Sequence, residues 1–266
     1  MKKIISILTL VVVLTSCSEY QKALKSEDIA LKTKVAETKY NDGKYKKALR
    51  LYEQIAPLMK GKPNAERIFY FYAKSYYETE QYYLAGYQFE SFVAGYPKSE
   101  KREEATFLGA ECFYNLSPVY SLDQVDTEKA LSKLQKFIDT YPNSEYLPKA
   151  NEYVKELSEK LEKKNFEVAK QYNTISDYKA SIKAFENFLI DFPGTKYKEQ
   201  ALYYRFDSAY QLAINSVPSK KEERLNYAKT LYGNLVKFKE DTEFKETADE
   251  MLATINKELQ QYTNIN

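Results

Sequence analysis

From about residue 28 to residue 256 the apolar positions follow a helical period, and they fall into a pattern that recurs along the chain. A small residue is followed four positions later by a large apolar one, and three further on by another. The copies are Ala48, Tyr52, Ile55; Ala85, Phe89, Phe92; Ala130, Leu134, Phe137; Ser181, Phe185, Phe188; and Ala228, Tyr232, Leu235. Offsets of four and seven lie along one face of a helix that turns every ~3.6 residues. The small residue lets a neighbouring helix come close, and the large ones fill the space beside it. The triplets stand 37, 45, 51 and 47 residues apart. Tyr45, Tyr82, Thr127, Tyr178 and Leu225 precede them by three positions in turn.

A second helix is predicted upstream of each triplet. In the first three copies its register is close: Ala36, Ala73 and Ala110 are 37 apart, as are Tyr40, Tyr77 and Tyr114. Asn41-Asp42-Gly43 reads as a helix stop and turn between the two helices of the first copy. After three of the triplets comes an aromatic, a proline and a small polar residue, in GYPKSE, TYPNSE and DFPGTK. Pro97, Pro142 and Pro193 should end one helix, and Ser99, Ser144 and Thr195 are then expected to cap the next. Glu100 and Glu145 are favourable near that positive end. The stretch from Ser144 to about Thr174 lacks a turn signal and reads as one long helix, with Pro148 near its first turn. The turn around Val217-Pro218-Ser219 is extended.

These residues resemble the tetratricopeptide repeat, a helix–turn–helix unit of about 34 residues. In the second copy the match includes Phe69, Tyr72, Ala73, Tyr76, Ala85, Phe89 and Pro97. The expected fold is therefore all-α, a solenoid of about five helical hairpins over roughly 28–62, 63–97, 98–142, 143–193 and 194–256. A signal peptide (1–16) and a tether (17–27) precede it, and a tail (257–266) follows.

The N-terminus carries an address. Lys2 and Lys3 are followed by the apolar run Ile4–Leu14, which is shorter than the ~20 residues of a membrane-spanning helix. Leu14-Thr15-Ser16-Cys17 then resembles a bacterial lipobox, in which the cysteine thiol receives a diacylglyceryl group and becomes the new, acylated amino terminus. Cys17 is the expected lipidation site, and multiple acyl chains give stable anchoring. Ser18, in place of an aspartate, is consistent with sorting to the outer membrane.

Composition narrows the chemistry. The chain has no histidine and no tryptophan. The commonest general base and zinc ligand are therefore missing, and no enzyme, cofactor or metal site is expected. Removal of Lys2 and Lys3 with the leader leaves 38 basic and 38 acidic residues. No nucleic-acid partner is expected from so balanced a chain. Cys112, within FLGAECFYNL, reads as a buried structural thiol.

Taken together, the lipobox, the repeats, the YPxS turns and the segment Leu161–Pro193 resemble the BamD (ComL) family, lipoproteins of the outer-membrane β-barrel assembly machinery. The resemblance covers essentially the whole chain. It implies a lipid-anchored protein on the periplasmic face of the outer membrane that binds the periplasmic domains of BamA, chiefly through its C-terminal repeats. Other lipoproteins of the same complex are further possible partners. Its N-terminal repeats would receive the C-terminal targeting segments of unfolded outer-membrane proteins. Tyr40, Tyr70, Lys74, Tyr77 and Tyr114 are the candidate peptide-binding residues, on the face that first helices turn to a tetratricopeptide groove. The alternative for these tyrosines is packing between repeats. The alternatives for the protein are other repeat-bearing envelope lipoproteins, a secretin pilotin or a cell-wall coordination factor.

Overall fold

The computed structural model describes residues 18–263; Cys17 and the apolar run before it lie outside the described residues. The described chain is all-helical and forms two compact units, divided after Ser158. In the first unit α1 (Ser18–Lys25) leads into three hairpins. These are α2 (Ile29–Asn41) with α3 (Tyr45–Met59), α4 (Glu66–Glu78) with α5 (Tyr82–Gly95), and α6 (Arg102–Leu116) with α7 (Val125–Thr140). The long helix α8 (Leu147–Thr174) begins in the first unit and ends in the second. There it is followed by α9 (Tyr178–Asp191), α10 (Lys198–Ile214), α11 (Pro218–Phe238) and α12 (Lys245–Thr263).

The triplets are the spine of each core. Ala48, Tyr52, Ile55, Ala85, Phe89, Ala130, Leu134, Phe137, Ser181 and Phe185 are fully buried, and Phe92 and Phe188 almost so. The fifth copy departs at its middle position. Leu231 is buried there, whereas Tyr232 is half-exposed and donates its hydroxyl to Asp249 Oδ1 at 2.5 Å. A phenol that can reach solvent keeps its oxygen satisfied, and a leucine one position earlier fills the core without that requirement. The first-helix alanines Ala36, Ala73 and Ala110 are buried, and Ala169 and Ala209 continue the series in α8 and α10.

The segment expected to be the lipidated tether (17–27) contains α1, whose Tyr20 and Ala23 join the core of the first hairpin with Val35, Leu51 and Ile55. At the other end α12 runs through the expected tail as far as Thr263, and Leu259 and Tyr262 pack on the core around Phe206 and Ile255.

Two turns recur. At the first, Gly43 adopts φ +71°, and Lys44 N–H reaches back to the Lys39 carbonyl at 2.8 Å. The same left-handed closure recurs at Glu80 (φ 59°, Gln81 N–H to Tyr76 O, 3.0 Å) and Ser176 (φ 63°, Asp177 N–H to Tyr172 O, 2.9 Å). Such a residue satisfies the last helical carbonyls.

At the second turn Ser99, Ser144 and Thr195 do not occupy the N-cap as expected. Each hydroxyl sits about a turn ahead of the helix and accepts the N–H two residues on, from Lys101 (3.0 Å), Tyr146 (3.1 Å) and Tyr197 (3.0 Å). Ser99 and Thr195 also donate to a carboxylate of the previous first helix, Glu66 at 2.6 Å and Glu162. Thr242 repeats the arrangement with Glu199 at 2.6 Å, so a further copy exists without a proline. The hydroxyl therefore ties successive hairpins together as well as ordering the turn.

Candidate partner-binding site

The first helices of the first unit carry the candidate peptide-binding residues, and the repeat places three of them equivalently. Each hydroxyl of Tyr40, Tyr77 and Tyr114 donates to a carboxylate one first helix further on: Glu78 (3.4 Å), Glu111 (2.7 Å) and Glu156. The rings remain half-exposed. In the second unit the equivalent position, four residues past Ala169, is Asn173, whose side-chain amide donates to Asp207 at 2.7 Å. Spacing alone reveals the tyrosines. Their acceptors are not legible, because those carboxylates sit at different registers of the facing helices.

Tyr70 differs from the other three. It is buried, with its ring 5.7 Å from Phe92 and 5.5 Å from Phe71, and so supports the face from behind. Lys74 lies between Glu78 (3.9 Å) and Glu104 (3.7 Å). Both contacts are long, so the ammonium is shared and not locked to one partner.

Glu111 is the centre of this face. It is 4% exposed, and it accepts from Tyr77 (2.7 Å), Tyr153 (2.5 Å) and Lys149 (2.8 Å). Burial by itself would raise its pKa. The bonds from Lys149, Tyr153 and Tyr77 outweigh that and hold the carboxyl below the usual range. Conversely, burial first and Glu111 second push the Tyr153 phenol up to about 12. The Tyr114 phenol is also pushed up to about 12, chiefly by its hydrogen bond to Glu156. These groups do not exchange protons near neutrality. They form a fixed polar lattice between neighbouring first helices.

Two exposed apolar faces escape the sequence reading. Tyr83, Leu84 and Tyr87 on α5 are 62%, 45% and 64% exposed. Val168 and Tyr172 on α8, with Ile175 in the turn just after it, stand at i, i+4 and i+7 and are also open to solvent. Helical spacing of that kind signals a buried stripe, and only the packing shows that this one has no cover. Cys112 is fully buried, and burial pushes its thiol pKa well up. No described helix is long and apolar enough to cross a membrane.

Helical hairpins with alanines and aromatics in one recurring register define a tetratricopeptide-type repeat protein. The chain belongs to the YfiO family of outer-membrane lipoproteins, whose model matches residues 32–225. Residues 1–18, which include Cys17, match the prokaryotic membrane lipoprotein lipid attachment site. The family is a non-enzymatic one. Among curated proteins the chain is 24% identical over 153 residues to the outer membrane protein assembly factor BamD of Caulobacter vibrioides, covering 58% of this chain and 50% of that one. It is 25% identical over 187 residues to the putative assembly factor BamD of Aquifex aeolicus, covering 69% and 59%. The chain thus matches between half and three-fifths of the length of these relatives. Solved structures with similarity include the TPR2AB domain of yeast Sti1 in its pHSP90 complex (14% identity, TM-score 0.40, 86% of this chain and 98% of that one). The MamA protein is another (15%, TM-score 0.32, 81% and 95%).

Proposed function

We propose that this lipoprotein is an assembly adaptor of the β-barrel assembly machinery, held at the periplasmic face of the outer membrane by acyl chains on Cys17. In this reading it docks the periplasmic domains of BamA, contacts other lipoproteins of that complex, and presents the Tyr40–Tyr77–Tyr114 face to unfolded outer-membrane proteins. The observation that carries the reading is the family match over residues 32–225, supported by two relatives bearing the name of an assembly factor. Purification after mild solubilisation tests it. A large β-barrel protein with periplasmic domains should copurify, and a secretin in its place would transfer the protein to a pilot role. Cys17→Ala should abolish lipid labelling and membrane retention.

For the peptide arm, an extended segment would lay its backbone N–H groups against Glu78 and Glu156 and its aromatic side chains against the tyrosine rings. A terminal carboxylate would take Lys74 from its two glutamates. Lys74→Ala with Tyr114→Phe should weaken crosslinking to peptides that end in an aromatic residue. Both sites are partly solvent-exposed, so the pair tests recognition and not folding. Unchanged crosslinking would remove these residues from the site.

A further inference from the structure

On the first unit, away from the tyrosine row, α5, α6 and α7 enclose an open cleft of about 620 Å³. Its walls carry Arg102 at the start of α6 and Lys133 and Lys136 on α7, against a single acid, Glu90. Lys133 is committed, since it pairs with Glu90 and lies 4.7 Å from the centre of the Phe113 ring. Arg102 and Lys136 are not. Neither makes an ion pair among the described residues, and the Arg102 Nε is buried without a hydrogen-bond partner. The other arginine with a buried, unbonded Nε among the described residues, Arg205, shares its charge with Glu186 at 3.5 Å and its fork with Tyr227 at 3.2 Å. A half-buried guanidinium with a buried and idle donor is an unmet demand for an anion.

The remaining lining says what kind of anion. The exposed Ala94 offers almost no side chain, so a polypeptide backbone can approach closely there, and Val93 and Pro97 offer apolar contact. The volume falls within the range of sites for organic ligands of moderate size, roughly 300–1,000 Å³, and is far larger than one inorganic anion needs. We infer that this cleft binds an acidic peptide segment of a partner protein, with a carboxylate on Arg102, a second near Lys136 and an apolar side chain between them. The inference does not depend on the assembly role, since it rests on the cleft alone.

The test is fluorescence anisotropy with the full chain in detergent at low salt. The probe is a fluorescein-labelled hexapeptide of alternating glutamate and leucine. Arg102→Gln with Lys136→Gln should weaken binding by about tenfold or more, and a glutamine-for-glutamate probe should lose as much. Lys136 is exposed. Lys136→Gln alone, which cannot disturb folding, should therefore weaken binding several-fold. Lys46→Gln with Lys155→Gln, exposed cations elsewhere on the same unit, should leave it unchanged. Equal affinity for the two probes, or equal loss in the control variant, would overturn the assignment. So would displacement by inorganic phosphate at the peptide's own concentration, or a preference for phosphatidylglycerol vesicles over the peptide.

Discussion

Replacing Glu111 by glutamine keeps the shape of the side chain and removes its charge. The carboxylate serves three donors on two neighbouring first helices: Tyr77 on α4, and Lys149 and Tyr153 on α8. A glutamine has one carbonyl oxygen, and its amide must turn toward at least one of those donors. One buried hydroxyl or the ammonium therefore loses its acceptor, and the remaining bonds lose their charge assistance. Leaving a buried donor unmet costs ~1–3 kcal/mol, and bonds to a charged acceptor contribute ~1.5–3 kcal/mol each. The uncharged variant also avoids the desolvation cost of the carboxylate, which offsets part of this loss. The expected net destabilisation is about 2–4 kcal/mol near neutral pH.

The effect should depend on pH with a definite sign. The folded Glu111 carboxyl titrates below its ordinary range. Its contribution is therefore complete above the unfolded pKa and is lost as pH falls through the lower, folded value. The assay is urea unfolding followed by far-ultraviolet circular dichroism, with wild type and Glu111→Gln compared at matched pH. Their gap should close in acid. In a cycle with Tyr77→Phe the two losses should couple by ~1–2 kcal/mol, as expected of groups in one network. A variant as stable as wild type near neutrality would refute the reasoning, and so would a gap that persists undiminished in acid.

Three further outcomes follow from the packing. Glu80→Gly and Ser176→Gly each relieve a left-handed residue and should raise stability by about 0.5–1 kcal/mol after the extra chain entropy of glycine, measured by thermal unfolding. A loss at either position would contradict the turn geometry. Phe137→Ala should cost about 3–5 kcal/mol because its site is fully enclosed, whereas Tyr232→Ala, at the half-exposed member of the repeat, should cost markedly less. Equal costs in denaturant titration would mean the fifth copy packs like the others. The Cys112 thiol should resist a water-soluble thiol reagent until the chain is unfolded, since both its burial and its raised pKa suppress the thiolate. Rapid labelling of the native protein would contradict that burial.

The signals that are legible in the sequence are those the backbone enforces locally. A small residue with large ones four and seven positions on can serve one purpose on a helix, so Ala85, Phe89 and Phe92 declare their buried face directly. Gly43 declares its turn for the same reason, since a positive φ suits glycine. Glu80 and Ser176 occupy the same conformation without the residue that advertises it. Thr242 makes the inter-hairpin bond of Ser99 and Thr195 without a proline to mark it. At Thr242 a tertiary contact ties down a turn that no proline marks, whereas Glu80 and Ser176 close theirs through local backbone bonds.

By itself, then, the chain determines the helices, their repeat register, the buried alanines and the address at Cys17. These depend on residue spacing of a few positions and on a short linear motif. The tertiary structure decides which groups meet across repeats: Tyr77 and Tyr153 on Glu111, Ser99 on Glu66, and Arg102 facing a cleft whose one acid, Glu90, is paired with Lys133. Those pairings join residues roughly 30 to 45 positions apart on different helices. The rotation of each hairpin against the next selects the partner, and periodicity within one helix carries no record of that rotation. Tyr70 and Tyr77 look alike in the sequence and are separated only by this packing, one buried behind the face and the other part of it.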